Sequence, residues 1–172
     1  MTCILETDRL SLRQLTTNDT AFIIELVNSP GWLAYIGDRQ VRTEVQARTY
    51  LENGPLASYA ANGFGLWLVE LKPDRTPNRT PIGMCGLLKR ETLENPDIGF
   101  AFLPAYTGQG FALEIASATM AYAKNTLNLP VISAIVLPTN TASIKLLGKL
   151  GLTYVRPITS PTSDEELLLF ER

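Results

Sequence analysis

"LPAYTGQGFALEIA", residues 103–116, sets glycines at 108 and 110 directly before a run with helical spacing. Glycine accepts positive φ without strain and leaves no Cβ over its backbone. A helix that starts at such a turn presents unpaired amides and a partial positive charge, a combination that holds anions. The stretch therefore reads either as a pyrophosphate cradle or as a tight strand-to-helix turn with no ligand. A P-loop would continue with Gly-Lys-Ser/Thr, and here Phe111 and Ala112 follow Gly110. The dinucleotide fingerprint needs a glycine at 113, where Leu113 stands, and belongs on the first strand–helix turn of a doubly wound sheet. Coenzyme A is the remaining ligand with such a cradle.

Outward from this turn the chain alternates between strand and helix signals. "DIGFAFLP", residues 97–104, is a strand that leads into the turn, and "FALEIASATMAYAKNTL", 111–127, is a helix with Ala112, Ile115, Ala116, Thr119 and Ala123 on one side. "VISAIVL", 131–137, is nearly continuous in apolar residues and reads as a buried strand. The unit 97–137 is then a right-handed crossover between parallel strands. Upstream, "RLSLRQL" (9–15) alternates as a first strand, and "TTNDTAFIIELVNSP" (16–30) carries helix start and stop signals. Residues 43–63 open on the capping box Thr43-x-x-Gln46 and close on Gly63, with a break or kink expected at Pro55. The aromatic segment 29–42 shows no clean period and reads as an ordered loop. "FGLWLVELK" and "IGMCGLLKRE" are two strands joined by the turn-rich 73–81. "NTASIKLLGKLG" (140–151) is a short helix, and "TYVRPI" and "ELLLFE" are final strands split by "TSPTSDE". Seven strands result, of which 97–104 is the fourth and 131–137 the fifth. They form a single α/β domain over residues 1–172 with a mixed sheet and flanking helices.

Composition narrows the chemistry. The chain of 172 residues contains no histidine, which removes every mechanism that needs imidazole as base, nucleophile partner or metal ligand. Its two cysteines, Cys3 and Cys85, have no metal-site or disulfide spacing and read as free thiols. No metal is expected. A net charge of −2 gives no general reason to expect nucleic acid or an anionic membrane as partner. The charge is uneven, because residues 98–163 carry four basic and one acidic side chain. The start lacks the basic-then-apolar order of a signal peptide, and no apolar run nears the ~20 residues of a membrane span, so a cytoplasmic protein is expected.

"TGQGFA" resembles the acyl-CoA motif Gln/Arg-x-x-Gly-x-Gly/Ala of the GNAT superfamily of N-acetyltransferases, with Thr107 at the first position, Gly110 and Ala112. "LETDRLSLRQL", "DIGFAFLPAYTGQGFALE" and the later Asn140, Ser143 and "KLGL" are similar, in order, to the branch that acetylates ribosomal-protein N-termini. The resemblance covers about residues 4–156. It implies a GNAT fold whose sheet splays between the fourth and fifth strands after a bulge, for which Gly99 is suited. It implies acetyl-CoA as cosubstrate, with pantetheine pairing to backbone near Phe102 and Leu103. The amides of Gly108, Gln109, Gly110, Phe111 and Ala112 would hold the pyrophosphate. Asn140 would contact the pantetheine arm, cap its helix, or do both. The basic segment then answers the cofactor's phosphates.

Acetyl transfer to an amine needs a base, and without histidine a carboxylate is expected. Asp97 begins the fourth strand, where the family often has Glu, and reads either as that base or as a solvated hairpin residue. Glu114 reads as a structural charge near a helix start or as a functional carboxylate. Many members place a tyrosine acid where this chain has Leu147, so Ser143 or Tyr106 would give the thiolate its proton, or solvent would. Trp32, Tyr35, Asp38 and Arg39 in 29–42 are the acceptor-site candidates, or they pack that segment down. The acidic 159–166 either adds charge to the acceptor side or is a solvated run. The resemblance favours a protein or peptide N-terminal amine as acceptor. A small-molecule amine (an aminoglycoside, polyamine or amino acid) is the alternative, and a CoA-binding sensor without turnover is the third reading. The chain acts as a monomer or homodimer.

Overall fold

The computed structural model describes residues 2–73, 78–160 and 162–172. Eight strands form one sheet: β1 (Cys3–Glu6), β2 (Leu10–Arg13), β3 (Leu66–Leu71), β4 (Thr80–Leu88), β5 (Asp97–Phe102), β6 (Ser133–Val136), β7 (Thr153–Thr159) and β8 (Glu166–Glu171). Their order across the sheet is β1-β2-β3-β4-β5-β6-β8-β7. Every neighbouring pair is antiparallel except β5 and β6, whose parallel alignment is the consequence of the helical crossover between them. The fourth and fifth strands of the sequence reading are thus β5 and β6, because the short edge strand β1 precedes them. Four residues at a sheet edge carry too little alternation to be read from sequence.

Among the described residues six α-helices flank the sheet: α1 (Thr20–Val27), α2 (Pro30–Tyr35), α3 (Glu44–Leu51), α4 (Ala57–Asn62), α5 (Phe111–Asn125) and α6 (Thr141–Lys149). The segment expected as a loop therefore contains α2, started by Pro30 at its first turn. The capping box at Thr43 is present, with Gln46 N–H donating to Thr43 Oγ1 and Thr43 N–H to Gln46 Oε1. Pro55 does not end the helical stretch. It sits in a π-helical turn, Glu52–Leu56, between α3 and α4, where the wider turn accommodates a residue without an N–H. Gly63 closes α4 with φ +75. Part of the 73–81 turn lies outside the described residues, as does part of 159–165.

Two apolar clusters sandwich the sheet. One joins Leu10, Leu12, Trp67, Cys85, Leu87 and Ile98 to Phe111, Ile115, Ala116 and Met120 of α5. Trp67 meets Tyr122 edge-on at 5.8 Å. The other joins Leu68, Met84 and Leu103 to Ile23, Leu26 and Val27 of α1, Trp32 of α2 and Leu51 of α3. A fully buried Ile115 contributes about 2–3 kcal/mol through burial alone, and such residues hold α5 against the strands. Beside the second cluster, Arg13 lies between two carboxylates, Asp19 at 2.8 Å and Glu70 at 2.8 Å, which tie β2 to the start of α1 and to β3. Among the described residues no helix is long and apolar enough to cross a membrane.

Candidate active site

The turn after β5 is built residue by residue for an exposed backbone. Leu103 N–H donates to Ile82 C=O, ending the strand pairing, and a 3-10 turn follows over Pro104–Tyr106. Gly108 and Gly110 then adopt φ +72 and +82. A Cβ on Gly108 would meet nothing within 4 Å, so it is the left-handed backbone, not lack of space, that calls for glycine there. Gly110 caps α5 without any side-chain hydrogen bond, which leaves the first amides of the helix for an outside acceptor. Arg9 holds this turn from across the molecule. Its Nη1 donates to Gln109 C=O at 3.1 Å, its Nε pairs with Glu114 at 2.6 Å, and its guanidinium lies 4.4 Å from the Phe111 ring centroid. Glu114 also accepts from Thr7 Oγ1 (2.6 Å) and Arg9 N–H (3.0 Å), so it joins the β1–β2 turn to α5 as a structural charge. Burial would raise its carboxyl, but these bonds hold it below the usual value.

The sheet opens beside this turn. β5 and β6 pair only at Asp97 and Ser133, where Ser133 N–H donates to Pro96 C=O; beyond that point they run apart. A cleft of about 1600 Å³ fills the gap. Phe102, Gly108, Gly110, Asn140 and Ser143 lie along one end of it, and Trp32, Tyr50 and Ala57 along the other. Strand alternation, fixed by the Leu103 amide bonding toward β4, turns the Phe100 and Phe102 amides toward the gap. Ile98, Phe100 and Phe102 pack toward α5, and Ala101 packs toward the α1–α3 side. The two-residue pleat puts Asp97 on that second face. Asp97 is 2% exposed, and its Oδ1 accepts from Arg90 Nε at 2.9 Å. Burial raises the Asp97 carboxyl above its ordinary value, against the pull of Arg90.

A family description of the acetyltransferase (GNAT) domain matches residues 9–153. The chain belongs to the GNAT acetyltransferase family. It is 32% identical over 162 residues to the uncharacterized protein YkkB of Bacillus subtilis, covering 90% of this chain and 87% of that one. It is 30% identical over 148 residues to the uncharacterized N-acetyltransferase YoaA of the same organism, covering 86% and 81%. Its fold is shared with the ribosomal-protein-S5-alanine acetyltransferase of Vibrio fischeri (TM-score 0.79, 16% identity, 100% and 96% covered). It is shared also with the spermidine N-acetyltransferase of Vibrio cholerae, solved with CoA and spermine (TM-score 0.78, 18% identity, 96% and 96% covered). The protein is a GNAT-type N-acetyltransferase, in a family whose structural neighbours act on both protein and small-molecule amines.

Within this GNAT site the structure brings together most of the sequence candidates and sets others apart. Phe102, Tyr106, Gly108, Gly110, Phe111, Ala112, Asn140 and Ser143 line the cleft, as do Asp97, Trp32, Tyr35 and Arg39. Asn140 caps α6, accepting from Ser143 N–H at 3.2 Å. Leu103 does not line the cleft, because its N–H is held by Ile82 and its C=O accepts from Tyr106 N–H; Phe100 offers the free amide instead. Gln109 is turned away, its Nε2 donating to Ala105 C=O at 2.8 Å. Asp38 is off the cleft wall, paired with Arg42 at 2.8 Å and accepting from Gln40 N–H. Asp97 is buried, so the reading as a solvated hairpin residue does not hold. The bulge expected at Gly99 is absent, since β4 and β5 keep one register from Gly83–Phe102 to Leu88–Asp97. The register shifts instead lie at Cys3/Leu5 between β1 and β2, at Val69/Glu70 between β3 and β4, and at Tyr154/Arg156 between β7 and β8. From the acidic 159–166, Thr159, Asp164 and Glu166 border a separate shallow pocket with Arg156, and none of the described residues of that run lines the cleft. Sequence reasoning missed Arg9 and Arg90, whose contacts have no local signature.

Proposed function

We propose that the protein transfers the acetyl group of acetyl-CoA directly to a primary amine in a ternary complex, with a protein or peptide N-terminus as acceptor. The gap between β5 and β6 carries this reading, since it joins the uncapped amides of α5 to the face that bears Asp97. The cradle suits a pyrophosphate in sign and shape: two left-handed glycines, free helix amides, and Lys145 and Lys149 on the cleft wall. Acetyl-CoA supplies an acyl carbon activated as a thioester. The Phe100 and Phe102 amides are placed to hold pantetheine and to polarise the acyl oxygen. Asp97 takes the ammonium proton, directly or through water, and its raised pKa makes it a better base near neutral pH than an exposed aspartate. Ser143 and Tyr106, both on the cleft wall, are the proton donors for the departing thiolate. Alignment of two bound reactants supplies much of the acceleration. The likeness of "LETDRLSLRQL" and "DIGFAFLPAYTGQGFALE" to the N-terminal branch supports the peptide acceptor.

The test is CoA release from acetyl-CoA, read with a thiol reagent, over peptides that differ in their first two residues and over free small amines. Turnover on peptides is expected. Turnover confined to small amines would overturn the peptide acceptor, and acetyl-CoA binding without turnover on either would overturn the reaction.

A further inference from the structure

The acceptor end of the cleft is rich in donors and poor in negative charge. Arg39 lines it and makes no hydrogen bond or ion pair among the described residues. Tyr50 lines the same cleft, its phenol without a partner there; burial raises the phenol's pKa, against the pull of the Arg39 charge. Trp32 is only 5% exposed, and its indole N–H is buried with no partner among the described residues. Asp97 is the one carboxylate among the described cleft-lining residues, and Arg90 already holds it. The carboxylates nearest to Arg39 in sequence are engaged elsewhere, Asp38 by Arg42 and Glu44 by Arg48. A buried donor without an acceptor, and an unpaired guanidinium on the same cleft wall, match a ligand that brings an anionic acceptor. A carboxylate meets a guanidinium through two parallel hydrogen bonds. A polycation would meet like charge here and no free carboxylate.

We propose that the acceptor is an amine that also carries a carboxylate, bound by Arg39 and Tyr50 while its amino group faces Asp97. This rests on the amine-acetylation reading above and narrows it by charge. Two sources carry that chemistry, an acidic residue near a peptide's N-terminus and the carboxylate of a free amino acid.

Calorimetric binding to the CoA-loaded full chain tests the inference without needing turnover. The probes are matched acid and amide pairs: Ala-Asp-amide with Ala-Asn-amide, Ala-Ala-Asp-amide with Ala-Ala-Asn-amide, and glutamate and 4-aminobutyrate with their amides. Spermidine serves as the polycation. The acid member of at least one pair binds about 10-fold tighter, and Arg39→Gln reduces that ratio to about 2-fold or less. Arg39→Lys keeps part of it. A preference confined to the peptide pairs assigns an acidic N-terminal segment, and one confined to the amino-acid pairs assigns a free amino acid. Equal binding of every acid and amide, no binding by any acid, tighter binding of spermidine, or a preference unmoved by Arg39→Gln overturns the inference. Carboxylate-selective binding without acetylation would instead sink the proposed reaction and leave standing only the carboxylate site at Arg39.

Discussion

Replacing Arg9 with glutamine removes three contacts at once from the turn that precedes α5. The pair with Glu114 is half exposed on the Arg9 side, so screening leaves it about 0–1 kcal/mol. The Nη1 bond to Gln109 C=O is charge-assisted but solvent-facing, about 1 kcal/mol after discounting, and the stacking on Phe111 adds about 0.5–1 kcal/mol. Glu114 is not orphaned, because Thr7 Oγ1 and the backbone N–H of residue 9 still reach it. The loss is therefore about 2 kcal/mol, concentrated where Gly108 and Gly110 expose their amides. A loss of 2 kcal/mol at the level of the whole fold would lower Tm by about 4–8 °C. Most of it should instead appear as a looser cradle, with the Kd and KM for acetyl-CoA rising about 10-fold, the equivalent of ~1.4 kcal/mol. The kcat should stay within about 2-fold, as it does when a change removes binding common to ground and transition states. Arg9→Lys, which keeps the charge and loses the fork, should fall between. Calorimetry with acetyl-CoA and steady-state kinetics read these values. Unchanged affinity in Arg9→Gln, or a fall in kcat at constant affinity, would refute the positioning role.

Three further outcomes are expected. In the wild type, kcat/KM falls as pH drops through the Asp97 pKa, which burial places above the ordinary carboxylate value; Arg90→Gln moves that limb still higher, and Asp97→Asn removes it while lowering kcat about 10²- to 10⁴-fold. An unchanged limb in Asp97→Asn would reassign the base. Burial alone would raise the Asp19 carboxyl, but hydrogen bonds from Arg13 and Thr16 hold it below its usual value. Its contribution to stability is thus present above pH ~4 and lost as pH falls through the folded-state pKa, so thermal melts of Asp19→Asn should depend less on pH in that acid range than wild type. Finally, Cys3 is exposed, while the Cys85 thiol is fully buried and pushed up to about 12. A thiol reagent should titrate one cysteine per native chain and two after denaturation, and two fast native thiols would contradict the packing of Cys85 beneath α5.

Much of the architecture was written locally. The period of 111–127, the glycines before it, the Thr43 capping box and the strand-forming run at 66–71 are properties of neighbours in the chain, and the structure keeps each of them. Exclusion of imidazole chemistry needed only composition. Local reading failed where packing overrode propensity. The aromatic stretch 30–35 becomes α2 because Trp32 is drawn into the second core cluster, whereas the interruption expected at Pro55 is present as the π turn Glu52–Leu56 between α3 and α4. The Gly99 bulge failed because the pairing of β4 and β5 is set across its whole length, with no register to spare at one residue. The candidate site divides along the same line. The turn proposed as its cradle was legible because φ-permissive glycines and a helix start lie within a few residues of one another. Arg9 on Gln109 and Arg90 on Asp97 were not legible. Residues 9 and 109 lie 100 positions apart, and only the closed sheet brings them within 3.1 Å. Sequence sets which conformations each short segment prefers; the charge that faces a substrate depends on which side chains the finished fold has paired and which it has left without partners.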